Sequence, residues 1–399
     1  MQDGSPPGFS PGFLTPGPLR QGPWPITSLA LDVSGRCNLA CRYCAEASTQ
    51  PERTAMTAET LDAAWRLLCP DGAPRRGMSI RLGSGEPMLG AALLRKLDNR
   101  IRASGGSAAD HRPGVFLTTN GTLLDQEACA WLAASGWHVK ISLDGPKDVH
   151  DAWRTFPDGR GTFETIAGAV ASLADSCDRL SATAVLCRGT DPFEVFEGIA
   201  SLGIRRIELV PVAHLDPAVC GDEDDIAAYR AFLDDHVERL LDAPDRETLP
   251  QLVRFERCVV RAMGYTNAWI PCGAGRSFVG VDASGDLYPC FRFVGVDAYR
   301  LGSLEEGLDS QRAAAFQEGA GRPYNLREPC NTCWAAPFCG GACYSCAEFF
   351  GDGEPLPTHC AYTRADAAAA VRLVQALRRS DPERLLAYLP GLPDLGGVL

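Results

Sequence analysis

The chain has 399 residues, a formal net charge of −12 and 17 cysteines. Because hydrophobic cores tend to divide at about 250 to 300 residues, this length predicts one large barrel and a smaller second domain. No apolar run reaches the roughly 18 residues of a membrane span, and the N-terminus lacks a secretory signal, so a cytoplasmic protein with no membrane partner is expected. The acidic charge argues against nucleic-acid binding. In a reducing compartment, clustered cysteines are expected to bind metal.

Six apolar runs rich in β-branched residues predict six strands, and helical patterns separate them. The strands are predicted at residues 28–33, 78–82, 114–118, 139–143, 181–187 and 205–210. Before them, residues 1–26 carry seven prolines and five glycines, and we expect this segment to be a mobile tail. The alternation of strands and helices predicts an α/β fold with parallel strands over residues 27–212, either as an open sheet or as a partial barrel.

Unusual residues follow the first four predicted strands. The cysteine loop SGRCNLACRYCAEAS (34–48) follows the first strand, GSGEP (83–87) the second, TNGT (119–122) the third and DGP (144–146) the fourth. Each segment alone could be an ordinary turn. Parallel strands place their carboxyl ends at one rim, however, and such rims bind ligands. The four segments together therefore predict a site at that rim.

The regular alternation ends after residue 212. A helical bridge is predicted at 213–257, and within it the acidic segment 223–242 has the pattern of a surface helix. A cysteine-rich domain is predicted at 258–362. Helices are predicted at 363–399, where an alanine-rich pattern occupies residues 364–380.

The spacing of three cysteines in the first loop leaves several interpretations open. Cys37, Cys41 and Cys44 are separated by three and then two residues. They could belong to a zinc knuckle, to a disulfide framework or to an iron-sulfur cluster. A structural zinc ion takes four ligands, and no histidine or fourth cysteine lies close in sequence. Three thiolates on a four-iron cluster would leave one iron open to a substrate or cofactor.

The motif CNLACRYC, together with GSGEP, TTNGTLL and SLDGPKDVHDAWR, resembles the radical S-adenosylmethionine (SAM) enzymes. The resemblance implies a six-stranded partial (β/α) barrel of the TIM type. It also implies that the methionine part of SAM chelates the open iron of a 4Fe-4S cluster. Such enzymes cleave SAM reductively to a 5'-deoxyadenosyl radical, which removes a hydrogen atom from the substrate.

The same resemblance assigns roles to individual residues. Cys37, Cys41 and Cys44 would hold the catalytic cluster, and Tyr43 would contact the adenine of SAM. Gly83, Gly85 and Glu86 match the motif that holds the methionine amino group, although many relatives have GGEP where this chain has GSGEP. The further cofactor-binding residues that it implies are Asn120, Ser142, Asp144 and Arg154, the last three near the ribose and carboxylate. For Arg154, a plain surface charge is the alternative.

A second cysteine set lies in the C-terminal third of the chain. The pattern CNTCWAAPFCGGAC, with two cysteines around Gly285 upstream and one downstream, resembles the SPASM domain of peptide-modifying radical SAM enzymes. That resemblance implies two auxiliary 4Fe-4S clusters, three clusters in all; a zinc ribbon is the alternative. The outer cluster would be held by Cys330, Cys333, Cys339 and Cys360. The inner cluster would be held by Cys272, Cys290 and Cys343, with Cys258 as the candidate fourth ligand.

Other arrangements of the inner cluster stay open from the sequence. Its fourth iron could be unligated and contact substrate, and Cys346 is a second, less favoured candidate ligand. Four other cysteines are interpreted as small buried apolar residues, because three lie on helical patterns and one ends a strand. These four are Cys69, Cys129, Cys177 and Cys187. Cys220 has no assignment.

Auxiliary clusters beside a hydrogen-abstracting radical indicate a net two-electron oxidation. The sequence predicts an enzyme that cross-links a ribosomally synthesised precursor peptide through a carbon–carbon (cyclophane) or thioether bond. The main alternative is an anaerobic sulfatase maturase that oxidises Cys or Ser to formylglycine. Such enzymes carry an Asp base after the cysteine equivalent to Cys290, whereas this chain has Phe291. A dehydrogenase of a small sugar or amino acid and a metal-stabilised binding module are less favoured.

The partners expected are the precursor peptide and a flavodoxin- or ferredoxin-type electron donor. Many relatives grip the leader of the precursor with an N-terminal winged-helix domain. Only about 26 residues precede the first strand, too few for such a domain. The leader would then be recognised by residues 211–271, by a separate leader-binding protein, or scarcely at all.

Overall fold

The computed structural model describes residues 25–46, 54–104, 112–264 and 268–388. The tail predicted at 1–26 lies, as far as residue 24, outside the described residues. All six predicted strands are present and form consecutive parallel neighbours in one sheet. They are β1 (Ser28–Leu31), β2 (Ser79–Leu82), β3 (Gly114–Thr119), β4 (His138–Ser142), β5 (Leu180–Leu186) and β6 (Arg206–Pro211). The predicted α/β fold with a partial barrel is therefore confirmed.

The C-terminal third of the chain extends this sheet at both ends. Strand β7 pairs in parallel with β6, and β8 pairs in parallel with β1, with Ser28 opposite Phe278. Antiparallel strands then continue outward from β8. The added strands are β7 (Gln251–Leu252), β8 (Phe278–Val281), β9 (Asp286–Tyr288), β10 (Gly302–Ser303) and β11 (Gly307–Leu308). The cysteine-rich region is thus anchored to the first barrel strand.

Helices connect the strands and cover the sheet. In the first part of the chain they are α1 (Ala58–Leu68), α2 (Ala91–Ser104), α3 (Gln126–Ser135), α4 (Lys147–Trp153), α5 (Phe163–Ser176) and α6 (Pro192–Ser201). In the second part they are α7 (Glu223–Asp242), α8 (Val253–Ala262), α9 (Ser310–Glu318), α10 (Ala336–Cys339), α11 (Tyr344–Phe350) and α12 (Pro357–Ser380). In the described part of the chain, none of the helices has both the length and the apolar character needed to cross a bilayer.

Local sequence explains where several helices begin. The side chains of Thr57, Asp125 and Asp191 cap α1, α3 and α6 by accepting backbone N–H groups of the first turn. Helix α7 has a full capping box, in which Asp222 and Asp225 each accept from the other's backbone. Helix α12 begins at Pro357, earlier than the alanine-rich pattern indicated, because proline suits the first turn of a helix. Cys360 therefore lies inside a helix.

Helices α7, α8 and α12 meet around one buried carboxylate. Asp366 accepts a hydrogen bond from Tyr229 Oη at 2.7 Å and from Arg254 Nε at 3.1 Å. Because the carboxylate is fully buried, these donors replace the water that it loses on folding. The contact fixes α12, which carries His359 and Cys360, against the end of the barrel.

The imidazole of His236 lies among aromatic rings in the core between α6, α7 and α8. Its ring is 5.5 Å from that of Phe196 and 5.6 Å from that of Phe255, and neither ring nitrogen has a hydrogen-bond partner among the described residues. Burial, followed by the positive charges of Arg246 and Arg239, lowers the pKa of His236 to about 3. The folded protein therefore favours the neutral ring.

We expect the free energy of unfolding of His236→Phe to fall less than that of the wild type as the pH is lowered. Since the pKa of His236 is lower in the folded than in the unfolded chain, its contribution is intact above about pH 6.5 and is lost as the pH falls toward 3. The free energy of unfolding of the variant, relative to that of the wild type, should be about 1.4 kcal/mol higher at pH 5.5 than at pH 7.5. Denaturant unfolding at the two pH values measures this gain, and parallel profiles would contradict it.

Candidate functional site

The cysteine loop after β1 crosses the GSGEP segment after β2 at very close range. The backbone of Glu86 donates to the carbonyl of Arg36 at 2.9 Å, and Gly85 N donates to Glu46 Oε2 at 2.8 Å. Gly85 has a φ of 56°, and a Cβ at this position would lie 2.3 Å from the carbonyl oxygen of Arg36. Glycine is therefore required here both by the backbone conformation and by the space available.

Replacing Gly85 with alanine should displace the cysteine loop. A left-handed conformation alone costs an alanine about 1 to 2 kcal/mol, and the overlap with the Arg36 carbonyl adds to that cost. Gly136→Ala is the matched control, because Gly136 has a φ of 73° but nothing within 4 Å of the added Cβ. Thermal unfolding should show a clearly larger loss for Gly85→Ala than for the control. Equal losses for the two variants would show that the close crossing of the two loops does not depend on Gly85.

The three cysteines of the loop line a cavity of about 620 Å³ at the carboxyl ends of the barrel strands. Burial raises the pKa of Cys41 to about 12, and the nearby thiols of Cys44 and Cys37 raise it as well, against the effect of Arg154. The predicted site residues that line the same cavity are Tyr43, Gly83, Gly85, Asn120, Ser142 and Arg154. The structure thus brings the rim segments together, as the sequence predicted.

Glu86 lies behind this wall and orients Asn120. Its carboxylate is fully buried and accepts from Thr119 Oγ1, from Asn120 N, both at 2.7 Å, and from Met88 N at 2.9 Å. The amide of Asn120 in turn donates to Cys37 Sγ at 3.7 Å. Hydrogen bonds to the sulfur ligands tune iron-sulfur clusters. Glu86 therefore acts in this structure on the cysteine loop through Asn120, and direct contact of Glu86 with SAM stays a prediction.

Asp144 also lies behind the wall, where it accepts hydrogen bonds from three lining residues. Its carboxylate accepts from Arg154 Nε at 2.7 Å, from Tyr43 Oη at 2.5 Å and from Val185 N at 2.9 Å. Arg154 is 7% exposed, so the surface-charge interpretation of this residue is wrong. The contacts join the cysteine loop, the fourth strand and the fifth strand. Contact of Asp144 with the ribose stays a prediction.

A larger cavity of about 1250 Å³ adjoins the first one, and most of the C-terminal cysteines line it. Burial, then the neighbouring thiols of Cys339, Cys360 and Cys333, raise the pKa of Cys330 to about 11. Cys360 likewise interacts with Cys339 and Cys333. The four cysteines assigned to the outer cluster thus lie together, although α12 supplies one of them from a distant part of the chain.

The backbone before Cys343 is shaped around the sulfur of Cys339. Gly340, Gly341 and Ala342 all have positive φ values, and Gly341 N donates to Cys339 Sγ at 3.3 Å. A Cβ on Gly340 would lie 2.3 Å from the backbone of Ile270. Backbone N–H groups aimed at a thiolate are the hydrogen bonds that clusters receive from proteins. This feature fits a cluster ligand at Cys339.

The chemistry of the donor set also fits clusters. All 17 cysteines lie in the described ranges, and no disulfide joins any two of them. Within the described ranges, no three His, Cys, Asp or Glu side chains converge as the ligands of one metal ion. A structural zinc ion needs four ligands at about 2.0 to 2.3 Å from a single point, whereas a four-iron cluster spreads its four thiolates around a larger body. Thiols line the walls of both cavities, and thiolates are the ligands that iron-sulfur clusters take from proteins.

The first cavity is also lined by residues that were not predicted as part of the SAM site, and three of them come from the C-terminal region. Arg292, Cys346 and His359 line this cavity together with the cysteine loop, and Cys343 lines both cavities. Weak signals existed in the sequence, since Arg292 follows a predicted ligand by two residues and His359 precedes one. Phe291, in contrast, packs against the hydrophobic core. Arg292 therefore reaches the cavity from the segment in which sulfatase maturases are expected to carry their base.

Comparisons with known proteins agree with this arrangement. Residues 31–194 match the Radical SAM superfamily. The chain is 27% identical to the mycofactocin maturase MftC of Mycolicibacterium smegmatis, over 82% of this chain and 80% of that protein. It is 24% identical to the serine-type anaerobic sulfatase-maturating enzyme of Klebsiella aerogenes, over 80% of each. The structure of anSMEcpe with bound AdoMet and Kp18Cys peptide aligns with a TM-score of 0.73 and 21% identity, over 88% of this chain and 99% of that chain.

Proposed function

Because residues 31–194 form a radical SAM domain, we propose that this protein is a maturase that cross-links a ribosomally synthesised precursor peptide. The bond formed is a carbon–carbon (cyclophane) or thioether linkage within the peptide, made by net two-electron oxidation. One observation carries the proposal: cysteines of the first loop and of the C-terminal region line the same cavity. They are Cys37, Cys41 and Cys44 from the loop, and Cys343 and Cys346 from the C-terminal region.

The residues of the first cavity fit a SAM-binding 4Fe-4S cluster. Cys37, Cys41 and Cys44 would ligate three irons, with Asn120 donating to the sulfur of Cys37. Tyr43 and Arg154 would meet the nucleoside and carboxylate parts of SAM from positions that Asp144 fixes. When bound, the cluster and SAM supply the radical that removes a hydrogen atom from the substrate. The protein's part is to hold the peptide, exclude water and set the position of each group.

The C-terminal cysteines fit two auxiliary clusters that would accept the second electron. Cys330, Cys333, Cys339 and Cys360 would hold the outer cluster. Cys272, Cys290 and Cys343 would hold the inner one, and Cys290 interacts electrostatically with both of the other two. Because Cys343 lines both cavities, the inner cluster would lie between the substrate and the outer cluster. This order suits the removal of an electron from a substrate radical.

The kind of substrate is supported by the names of the relatives. One is a mycofactocin maturase, another a sulfatase-maturating enzyme, and the aligned structure contains AdoMet and a peptide. Oxidation of Cys or Ser to formylglycine is the second candidate function, favoured by the sulfatase-maturating relative. Phe291 disfavours it, because a phenylalanine supplies no carboxylate base at that position. A cytoplasmic reaction and a flavodoxin- or ferredoxin-type electron donor belong to the same proposal.

Anaerobic coexpression with the short reading frames encoded beside the gene tests this function. Mass spectrometry should reveal a peptide that is lighter by two hydrogens per linkage and that carries a cross-link between two side chains. The variant Cys37→Ala/Cys41→Ala/Cys44→Ala should leave that peptide unmodified. A sulfatase-like peptide is coexpressed in the same way, and a free aldehyde on its Cys or Ser would replace cross-linking with the formylglycine function. An unchanged peptide set with the wild-type enzyme would contradict both functions.

A further inference from the structure

The inner cysteine set lacks a fourth member in the sequence assignment, and the structure offers two candidates in different places. Cys258 lies on α8 and Cys346 lies on α11. Both are buried, with 5% and 6% of their surface exposed, so burial does not separate them. The side chains that surround each cysteine distinguish the two candidates.

Charged side chains, and no thiol, are the groups that act most strongly on Cys258. The groups that act on it are Asp366, Arg261, Arg254 and Arg257. It lines the larger cavity, as Cys272 and Cys343 also do, but it does not line the first cavity, which Cys343 and Cys346 both line. Its helix packs against the barrel and against α12, and this packing accounts for a small buried apolar residue at position 258.

Cys346 lies within the inner set. It interacts with Cys343 and Cys290, and Cys290 and Cys343 in turn interact with Cys272. Cys343 occupies the N-cap position of α11 and Cys346 is in the first turn, so the two cysteines are three residues apart at the same end of the helix. Two cysteines separated by two residues are a recurring pair of ligands to one iron-sulfur cluster.

A half-buried cation also faces this group of thiols. Arg292 Nη1 approaches Cys346 Sγ at 3.9 Å, and the guanidinium interacts with Cys343 and Cys290 as well. A cluster with four thiolate ligands carries net negative charge, which is costly to bury without a partner. Arg292 supplies that partner at the boundary between the inner set and the SAM cavity.

We propose that Cys346 is the fourth protein ligand of the inner auxiliary cluster, together with Cys272, Cys290 and Cys343, and that Cys258 is not a ligand. This assignment rests on the auxiliary clusters of the proposed function. It means that the inner cluster has no open iron for substrate. The cluster then serves as an electron acceptor, while Arg292 and the rest of the cavity wall meet the peptide.

The test isolates the auxiliary clusters in the Cys37→Ala/Cys41→Ala/Cys44→Ala background, which lacks the ligands of the SAM cluster. After anaerobic reconstitution this parent should contain about eight irons per chain, for two clusters of four. Mild oxidation removes an iron that lacks a thiolate, and the resulting three-iron cluster is visible by EPR. We expect this signal when Cys346→Ala is added, and its absence in the parent and when Cys258→Ala is added.

Each other result overturns the assignment in a recognisable way. The signal in Cys258→Ala but not in Cys346→Ala makes Cys258 the ligand. The signal already in the parent means an open iron in the wild-type cluster. If the parent binds no iron and no sulfide, the auxiliary clusters do not form, and the proposed function is contradicted. If Cys346→Ala fails to fold, Cys346→Ser keeps the volume and should change the EPR spectrum of the reduced cluster, which Cys258→Ser should leave unchanged.

Discussion

Arg154→Met is expected to lower the free energy of unfolding by about 3 to 5 kcal/mol, because it leaves the carboxylate of Asp144 buried without its cation. Asp144 is 1% exposed, and Arg154 Nε lies 2.7 Å from its Oδ2. Tyr43 and Val185 would still donate hydrogen bonds, but neither carries a positive charge. Denaturant unfolding of the anaerobic protein measures the loss.

The chain offers a matched surface pair as the control. Arg160 and Asp158 also form an ion pair at 2.8 Å, but their side chains are 75% and 54% exposed. Arg160→Met should therefore cost at most about 1 kcal/mol. The double variant Arg154→Met/Asp144→Leu should recover much of the loss, since it removes the unpaired charge. Equal costs for Arg154→Met and Arg160→Met would show that Asp144 does not depend on its buried partner.

The barrel could be predicted from the sequence because its signals are local. Each strand is a short apolar run, and the helices between them carry caps such as Asp125 and Asp191. Strand bounds differ from the predicted ranges by a residue or two, as expected where strands fray into loops. The rim site followed from topology, since parallel strands deliver their following loops to one edge.

The joining of the C-terminal region to the barrel could not be predicted in this way. Strand β8 pairs with β1 although their residues are about 250 positions apart in sequence, and no local pattern specifies that partner. Helix α12 also begins earlier than predicted, because the prediction followed the alanine-rich pattern and did not treat Pro357 as the first residue of a helix. Both features determine where Cys272, Cys290 and Cys360 lie relative to the first cavity.

The roles of the charged site residues show the same limit. The motif indicated that Glu86 and Asp144 belong to the site, but it could not show that each carboxylate is enclosed by protein donors. Tyr43 and Asp144 are 101 residues apart in sequence and meet only in the folded chain. Likewise, Arg292 and Cys346 meet across 54 residues. Side-chain contacts of this range depend on tertiary packing that a single sequence does not display.

The second large effect concerns the outer cysteine set, whose loss should remove a cluster together with part of the stability of the C-terminal region. Cys330→Ala/Cys333→Ala deletes two of the four proposed ligands, and the iron content of the reconstituted protein should fall from about twelve to about eight per chain. Metal binding to a site that exists only in the folded state contributes to folding free energy. We therefore also expect a lower unfolding midpoint, and faster hydrogen exchange in the segment around α10.

The control for this variant is Cys129→Ala/Cys177→Ala. Cys129 lies within α3, and Cys177 is the C-cap residue of α5. Both are buried like small apolar residues and are far in sequence from either cysteine set. Their replacement should leave iron and sulfide content unchanged and cost only the packing of two sulfur atoms. If both double variants keep about twelve irons, Cys330 and Cys333 are not cluster ligands. If the outer variant instead loses zinc and no sulfide, the set is a zinc ribbon, because zinc needs no inorganic sulfide.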